Sequence, residues 1–342
     1  MDAVSRKRKI LCCIVEQYID TAEPVGSKQL LENSGLSVSS ATIRNDMAAL
    51  TEAGLIDQPY TSAGRVPTQE GFRRYLELGA KPVEPTAQER ALIFRRISAS
   101  SDDPERILDA AAQVLSQLSG AVCVATTPPP EDVKIAKIRL IQTGRQTAMT
   151  VLVTSSGMVK YRLFRCDYML TKELVKVFER MLSESMVGRS PEEITPAFVQ
   201  SLAASYGELA MLMPTVLSCI MLQCTQINSM DVRLHGESNL LFSSEFEISQ
   251  LREIIKFLGR HEQLAHLLLR ADKAGGVMIG TESQVPELYK CAVISKRYDV
   301  AMQPSGAIGL IAPMRNSYRR SLGLLEYASG AVGKLINELI ES

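Results

Sequence analysis

The chain has 342 residues, a formal net charge of zero, 46% hydrophobic residues and only 5% aromatic ones, with no Trp. That length suits two or three domains with real cores. The neutral balance removes global charge as an argument for either nucleic acid or a membrane surface.

The seven cysteines, Cys12, Cys13, Cys123, Cys166, Cys219, Cys224 and Cys291, are odd in number and include no C-x-x-C pair. A disulfide framework is therefore not expected, and a reducing cytoplasm fits best. The basic residues of "MDAVSRKRKILCCIVEQYID" precede an apolar stretch broken by Glu16, Gln17 and Asp20, so no signal peptide is expected. The most apolar region, "LAMLMPTVLSCIMLQC", is too short to span a membrane and carries Pro214.

In chain order, Ile10, Leu11, Ile14, Val15, Tyr18 and Ile19 make one stripe on a first helix. "AEPVGS" breaks it. Ser27 is expected to cap a short second helix that ends at Gly35, and Ser39 to cap a third. At 100° per residue, Ile43, Met47 and Leu50 share one side of that third helix, over 40–53. The opposite side carries Ala41, Arg44, Asn45, Ala48 and Glu52. Small residues beside Arg and Asn suit close approach to a major groove, where base edges pair with those side chains. Ser39, Ser40 and Thr42 at the helix start suit phosphates or bases.

After Gly54, two short extended runs flank the turn "TSAG". Thr61, Ser62, Gly64 and Arg65 are the candidate residues of a β-ribbon wing. The order helix, helix, recognition helix, ribbon is that of a winged helix-turn-helix. A helical hairpin for protein contacts is the bland alternative. Residues 1–75 hold nine Lys/Arg and nine Asp/Glu, so one copy should bind weakly. Its basic groups cluster as Arg6, Lys7, Arg8 and Lys9 at one end and Arg65, Arg73 and Arg74 near the wing.

"YIDTAEPVGSKQL", "LSVSSATIRNDMAALTEAGLI" and "QPYTSAGRVPTQEGFRRYL" resemble, in order, the N-terminal signature of the heat-inducible transcription repressor family, HrcA. One departure is Tyr60, where that family usually has His. The resemblance implies a homodimeric repressor of chaperone operons. It would act on an inverted-repeat operator called CIRCE, with the GroE chaperonin as partner and no cofactor.

Further along, "LGAKPVEPTAQER" reads as a linker or helix start. Helices are expected to follow, the second ending at Gly120, and then a buried strand "AVCVAT" running into a proline turn. Residues 134–166 alternate as a three-stranded antiparallel meander. Helical patterns follow at 171–187, about 194–212 and 214–227. Then come the strand-like "DVRLHG", "NLLF", two helices, the strands "GGVMIGTES", "CAVISKRYDV" and "SGAIGLIAP", and a last helix over 317–340.

These patterns describe an α+β multidomain chain. Residues alone leave two consecutive units and an insertion equally open. The resemblance favours insertion: a GAF-like α+β domain over 78–130 and 228–342, interrupted by an inserted α+β dimerisation domain over 131–227, with the winged module over 1–77. "GESNLLFSSEF", "IGTES" and "GAIGLIAPMRNSYRR" resemble C-terminal motifs of the family. Here Ser244 replaces the usual Pro, Ser283 replaces Asn, and "APMRN" stands for "GPTRM".

Enzyme chemistry finds no foothold in the sequence. His261 and His266 are five apart, about 140° around a helix, where a zinc pair needs i and i+4. No phosphate loop or nucleophile elbow is present. Met211, Met213, Met221 and Met230 suit either core packing or a subunit interface. A regulator sensing a small metabolite in the GAF-like domain is the competing functional expectation.

Overall fold

A computed structural model describes residues 2–36, 38–60, 63–79, 81–100, 103–206, 213–227 and 230–341. The first helix, α1 (Ala3–Thr21), is capped by Asp2, whose carboxylate accepts from Ser5 N at 2.7 Å. Its apolar stripe buries Ile10, Leu11, Ile14 and Val15. The short α2 (Ser27–Asn33) starts differently from the sequence expectation. Gly26 holds the cap position, and Ser27 lies inside the first turn. Ser39 does cap α3 (Ser40–Glu52), its hydroxyl accepting from Thr42 N at 3.1 Å. The strands β1 (Ile56–Asp57) and β2 (Val66–Pro67) pair antiparallel, and α4 (Gln69–Glu77) follows under a Thr68 cap.

The rest of the chain builds on a five-stranded sheet. After α5 (Ala87–Ser98) and α6 (Pro104–Ser119) comes β3 (Val122–Thr126). The chain then leaves this sheet and forms a separate three-stranded one from β4 (Ile135–Gln142), β5 (Thr147–Thr154) and β6 (Val159–Arg165). The helices α7 (Lys172–Met186), α8 (Pro196–Ser205) and α9 (Pro214–Ile227) complete that segment. It returns at β7 (Val232–His235), which pairs with β3 in the register Cys123↔His235 to Thr126↔Val232. Then follow α10 (Ile248–Leu258), α11 (His261–Lys273), β8 (Val277–Ile279), β9 (Cys291–Val300), β10 (Gln303–Pro313) and α12 (Tyr318–Glu341). The strand order is β7-β3-β10-β9-β8, with every neighbour antiparallel.

Alternation along β3 divides the core. Cys123 and Ala125 join one cluster, with residues of α5, α6 and α12. Val122 and Val124 join another, with residues of α10 and α11. The first cluster continues without a break into the N-terminal helices and includes Ile10, Ile43, Phe72 and Ile336. The three-stranded sheet has its own core, which holds Phe178, Leu182, Met213, Ile220 and Cys224. Met213 is thus a core residue, and so is Met230, which packs with α10 and α11. Met211 lies outside the described residues, as do 207–212 of the helical pattern expected to reach 212.

Two stretches read as extended are not. In "GGVMIGTES" only Val277–Ile279 is strand, because the Glu282 carboxylate folds back to accept from Ile279 N at 2.8 Å and closes a 3-10 turn over Gly280–Ser283. "NLLF" belongs to a 3-10 turn, Glu237–Phe242.

Candidate nucleic-acid interface

On α3 the expected division of faces is present. Ile43, Met47 and Leu50 are buried, while Ala41, Arg44, Asn45, Ala48 and Glu52 are exposed. The buried arc also carries Asp46, a carboxylate that the periodicity argument overlooked. Arg6 of α1 answers it, Nε to Oδ2 at 2.6 Å, and that hydrogen bond raises the guanidinium pKa further. The signal was available: at 100° per residue position 46 falls about 40° beyond Leu50, at the edge of the apolar arc, and a charge buried there needs a partner.

At the start of α3, Ser39 Oγ and Thr42 Oγ1 are 2.9 Å apart, so both hydroxyls are engaged in the cap. Ser40 is half-buried beside them. The first N–H groups of a helix have no intrahelical acceptor and carry the positive end of its dipole. Arg44 is exposed, and its Nε donates to Ser27 Oγ at 3.4 Å. Ser27, misplaced as a cap, instead lies beside the exposed arc. Together these groups offer donors and acceptors on a surface kept low by Ala41 and Ala48.

The ribbon is built for close packing. Arg65 pairs with Val25 through both backbone groups, at 2.8 and 2.9 Å, and its Nε donates to Thr51 Oγ1 at 3.2 Å. This side chain therefore knits the ribbon to α3. Gly64 has a steric reason of its own: a Cβ there would come within 2.5 Å of the Val25 carbonyl carbon. Gln58 Nε2 donates to Ala63 O at 3.1 Å across the mouth of the turn, and Tyr60 is exposed. Thr61 and Ser62 lie outside the described residues.

Of the basic residues expected to cluster near the wing, Arg65 is in the ribbon, while Arg73 and Arg74 are engaged by acidic partners. Arg73 bonds to Glu282 and to Val277 O, on the far side of the chain, and Arg74 pairs with Glu77 at 2.8 Å. Arg8 and Lys9 remain exposed at the start of α1. Burial pushes the Cys12 thiol up to about 11 and those of Cys224 and Cys291 up to about 12, so these three thiols are not activated.

Comparison with known families gives one assignment: the family model "HrcA protein C terminal domain" matches residues 105–322. Among curated relatives, the heat-inducible transcription repressor HrcA of Desulforudis audaxviator is 31% identical over 343 residues, covering 98% of each chain. That of Moorella thermoacetica is 29% identical over 338 residues, again covering 98% of each. A solved structure titled as a hypothetical protein is 28% identical, covers 98% of each chain and superposes with a TM-score of 0.64.

Proposed function

The chain belongs to the HrcA family of heat-inducible transcription repressors, and from that premise we propose a cytoplasmic repressor that binds an inverted-repeat operator ahead of chaperone genes as a homodimer. The carrying observation is the exposed arc of α3, where Arg44 and Asn45 stand between Ala41 and Ala48 with the core directly behind them. In this reading residues 1–77 are a winged helix-turn-helix. Arg44 and Asn45 read base edges. Ser39, Ser40 and Thr42 meet phosphate at the positive end of the helix. Thr61, Ser62, Gly64 and Arg65 are the wing residues of this reading, and Arg65 also braces the ribbon against Val25 and Thr51. The operator supplies no covalent chemistry and needs no cofactor.

Residues 78–130 and 228–342 form a GAF-like body, and 131–227 an inserted dimerisation unit. The pairing of β3 with β7 across the intervening segment supports that division, as does the segment's own core. The outward face of β4, β5 and β6 supports a dimer. Its rows run Ile141–Met149–Leu163 and Arg139–Val151–Tyr161, with Tyr161 72% and Leu163 63% exposed. An apolar sheet face of that kind marks an interaction surface, and a second copy offers the same face under two-fold symmetry.

The GroE chaperonin enters as the regulator of folding. The core cluster of α3 runs on into α12 residues such as Val332 and Ile336, with Phe72 against Tyr318 as one bridge, so the joint between the N-terminal module and the body forms only when the C-terminal helix is in place. Chains with such non-local cores populate aggregation-prone intermediates, the species a chaperonin takes up.

Footprinting on chaperone promoters tests the reading. Both arms of an inverted repeat should be protected together, and Asn45→Ala should abolish the footprint at concentrations where wild type is saturated. Protection of a single site without symmetry would contradict it.

A further inference from the structure

The C-terminal segments "GESNLLFSSEF", "IGTES" and "APMRNSYRR" lie far in sequence from α3, yet each contributes to one joint. Gln69 of α4 donates from Nε2 to Thr281 Oγ1 at 2.9 Å, and Thr281 N donates back to Gln69 Oε1 at 3.1 Å. One turn along α4, Arg73 Nε donates to Glu282 Oε1 at 2.8 Å and its Nη2 to Val277 O at 2.9 Å. Glu282 is fixed from behind by Ile279 N. Gly280 leaves the space that Gln69 fills, since a Cβ on Gly280 would collide with the Gln69 carboxamide. Beside them on α4, the Phe72 ring meets Tyr318, centroids 5.8 Å apart. Arg315 Nη1 donates to Ile19 O at 2.9 Å near the end of α1, while its Nε is held by Glu245 at 2.7 Å.

These contacts lie away from the α3 arc and cannot touch a base that α3 reads. They grip the module at two helices, α1 and α4, and the planar Arg73 fork fixes direction as well as distance. A hinge would need neither arrangement.

We propose that Arg73 and Glu282, seconded by Gln69 and Thr281, are positioning residues for operator recognition: they lock each DNA-binding module to its body so that the two recognition helices of a dimer stand at one fixed separation. This rests on the dimeric repressor reading above. With both modules locked, engagement of one half-site presents the other helix to its partner site at a high effective concentration. With the lock broken, each module binds its half-site as before but the second engagement loses that advantage, and the preferred half-site spacing broadens.

The test measures affinity of the full-length protein for three DNAs: a single half-site, the inverted repeat, and repeats whose spacer is altered by about two base pairs. Wild type, Arg73→Ala, Arg73→Lys and Gln69→Ala are compared. Gln69→Ala removes only the exposed hydrogen bonds and guards against a variant that fails to fold. The expected result is a loss of about tenfold or more on the inverted repeat for Arg73→Ala, with half-site affinity unchanged. The penalty for wrong spacing should also shrink, with Arg73→Lys and Gln69→Ala intermediate. Equal losses on half-site and repeat would overturn the proposal by assigning the pair to module folding, and so would an unchanged spacing profile. A wild-type protein that binds the repeat no better than a half-site would instead overturn the dimeric repressor reading, and the proposal with it.

Discussion

Arg44 stands on a helix face with no hydrophobic neighbour to support, so its removal should cost recognition and leave the fold intact. Arg44→Ala is expected to weaken operator binding by about 1–3 kcal/mol and binding to random DNA much less, as read by fluorescence anisotropy. Equal losses on both would assign it to phosphate. A different residue tests the join between the three-stranded unit and the body. Glu105 of α6 takes Lys160 Nζ of β6 at 2.7 Å and Arg233 Nη2 of β7 at 2.6 Å. Burial alone would raise its pKa, but the two cations outweigh that and hold it below the ordinary glutamate value. A folded-state pKa below the unfolded one, about 4.3, stabilises the protein above that pH, and the gain is lost as pH falls through the folded value. Urea unfolding of Glu105→Gln should therefore show a deficit at neutral pH that closes in acid. A deficit unchanged below pH of about 4 would mean packing, not charge, is responsible. Charge partners were the part of the residue scale that sequence did not disclose. Periodicity found the exposed arc of α3, but Arg6, Arg65 and Arg73 looked equally available in one dimension. Only the folded chain brings Asp46, Thr51 and Glu282 to them.

Among the elements, α3 and the β4–β6 meander were legible for a simple reason. Each buries one face, so its apolar residues repeat with the period of a helix or a strand. The 3-10 turn over Gly280–Ser283 was not legible, because its cause is one carboxylate turning back on its own strand. Ser27 was mistaken for a cap because Gly26 serves that position without a side chain. The outward face of the meander yields the prediction at this scale. Tyr161→Asp puts a charge on the outward face, at the edge strand β6, without touching the core behind the sheet. Sedimentation velocity should show the dimer replaced by monomer, and deletion of 131–227 should likewise leave a monomer that binds the inverted repeat poorly. A monodisperse dimer from that deletion would put the interface elsewhere.

For the whole molecule, the informative fact is where the chain closes on itself. β10 completes the sheet beside β3 in the register Ile308↔Ala125 to Ile311↔Val122, and residues of α12 fill the cluster that runs into α1 and α3. The N-terminal helices join that cluster where Phe72 of α4 meets Tyr318 of α12, so the joint between module and body closes only when the C-terminal helix is in place. That coupling could not be read from the sequence, which showed the elements but not which faces would merge. It gives temperature a handle: in a domain stable by about 5–15 kcal/mol, a change of one or two kcal/mol multiplies the unfolded population about 5- to 30-fold, and that population is what a chaperonin takes up. The measurement that bears most directly on the account is a stoichiometric titration of operator, held well above its dissociation constant, with protein recovered from heat shock in the presence or absence of chaperonin and ATP. The account predicts two chains per operator at equivalence, a larger titratable fraction with chaperonin, and an unchanged affinity of the active molecules. A constant titratable fraction with a shifted midpoint in dilute binding would contradict it, making chaperonin an allosteric ligand of a protein already folded.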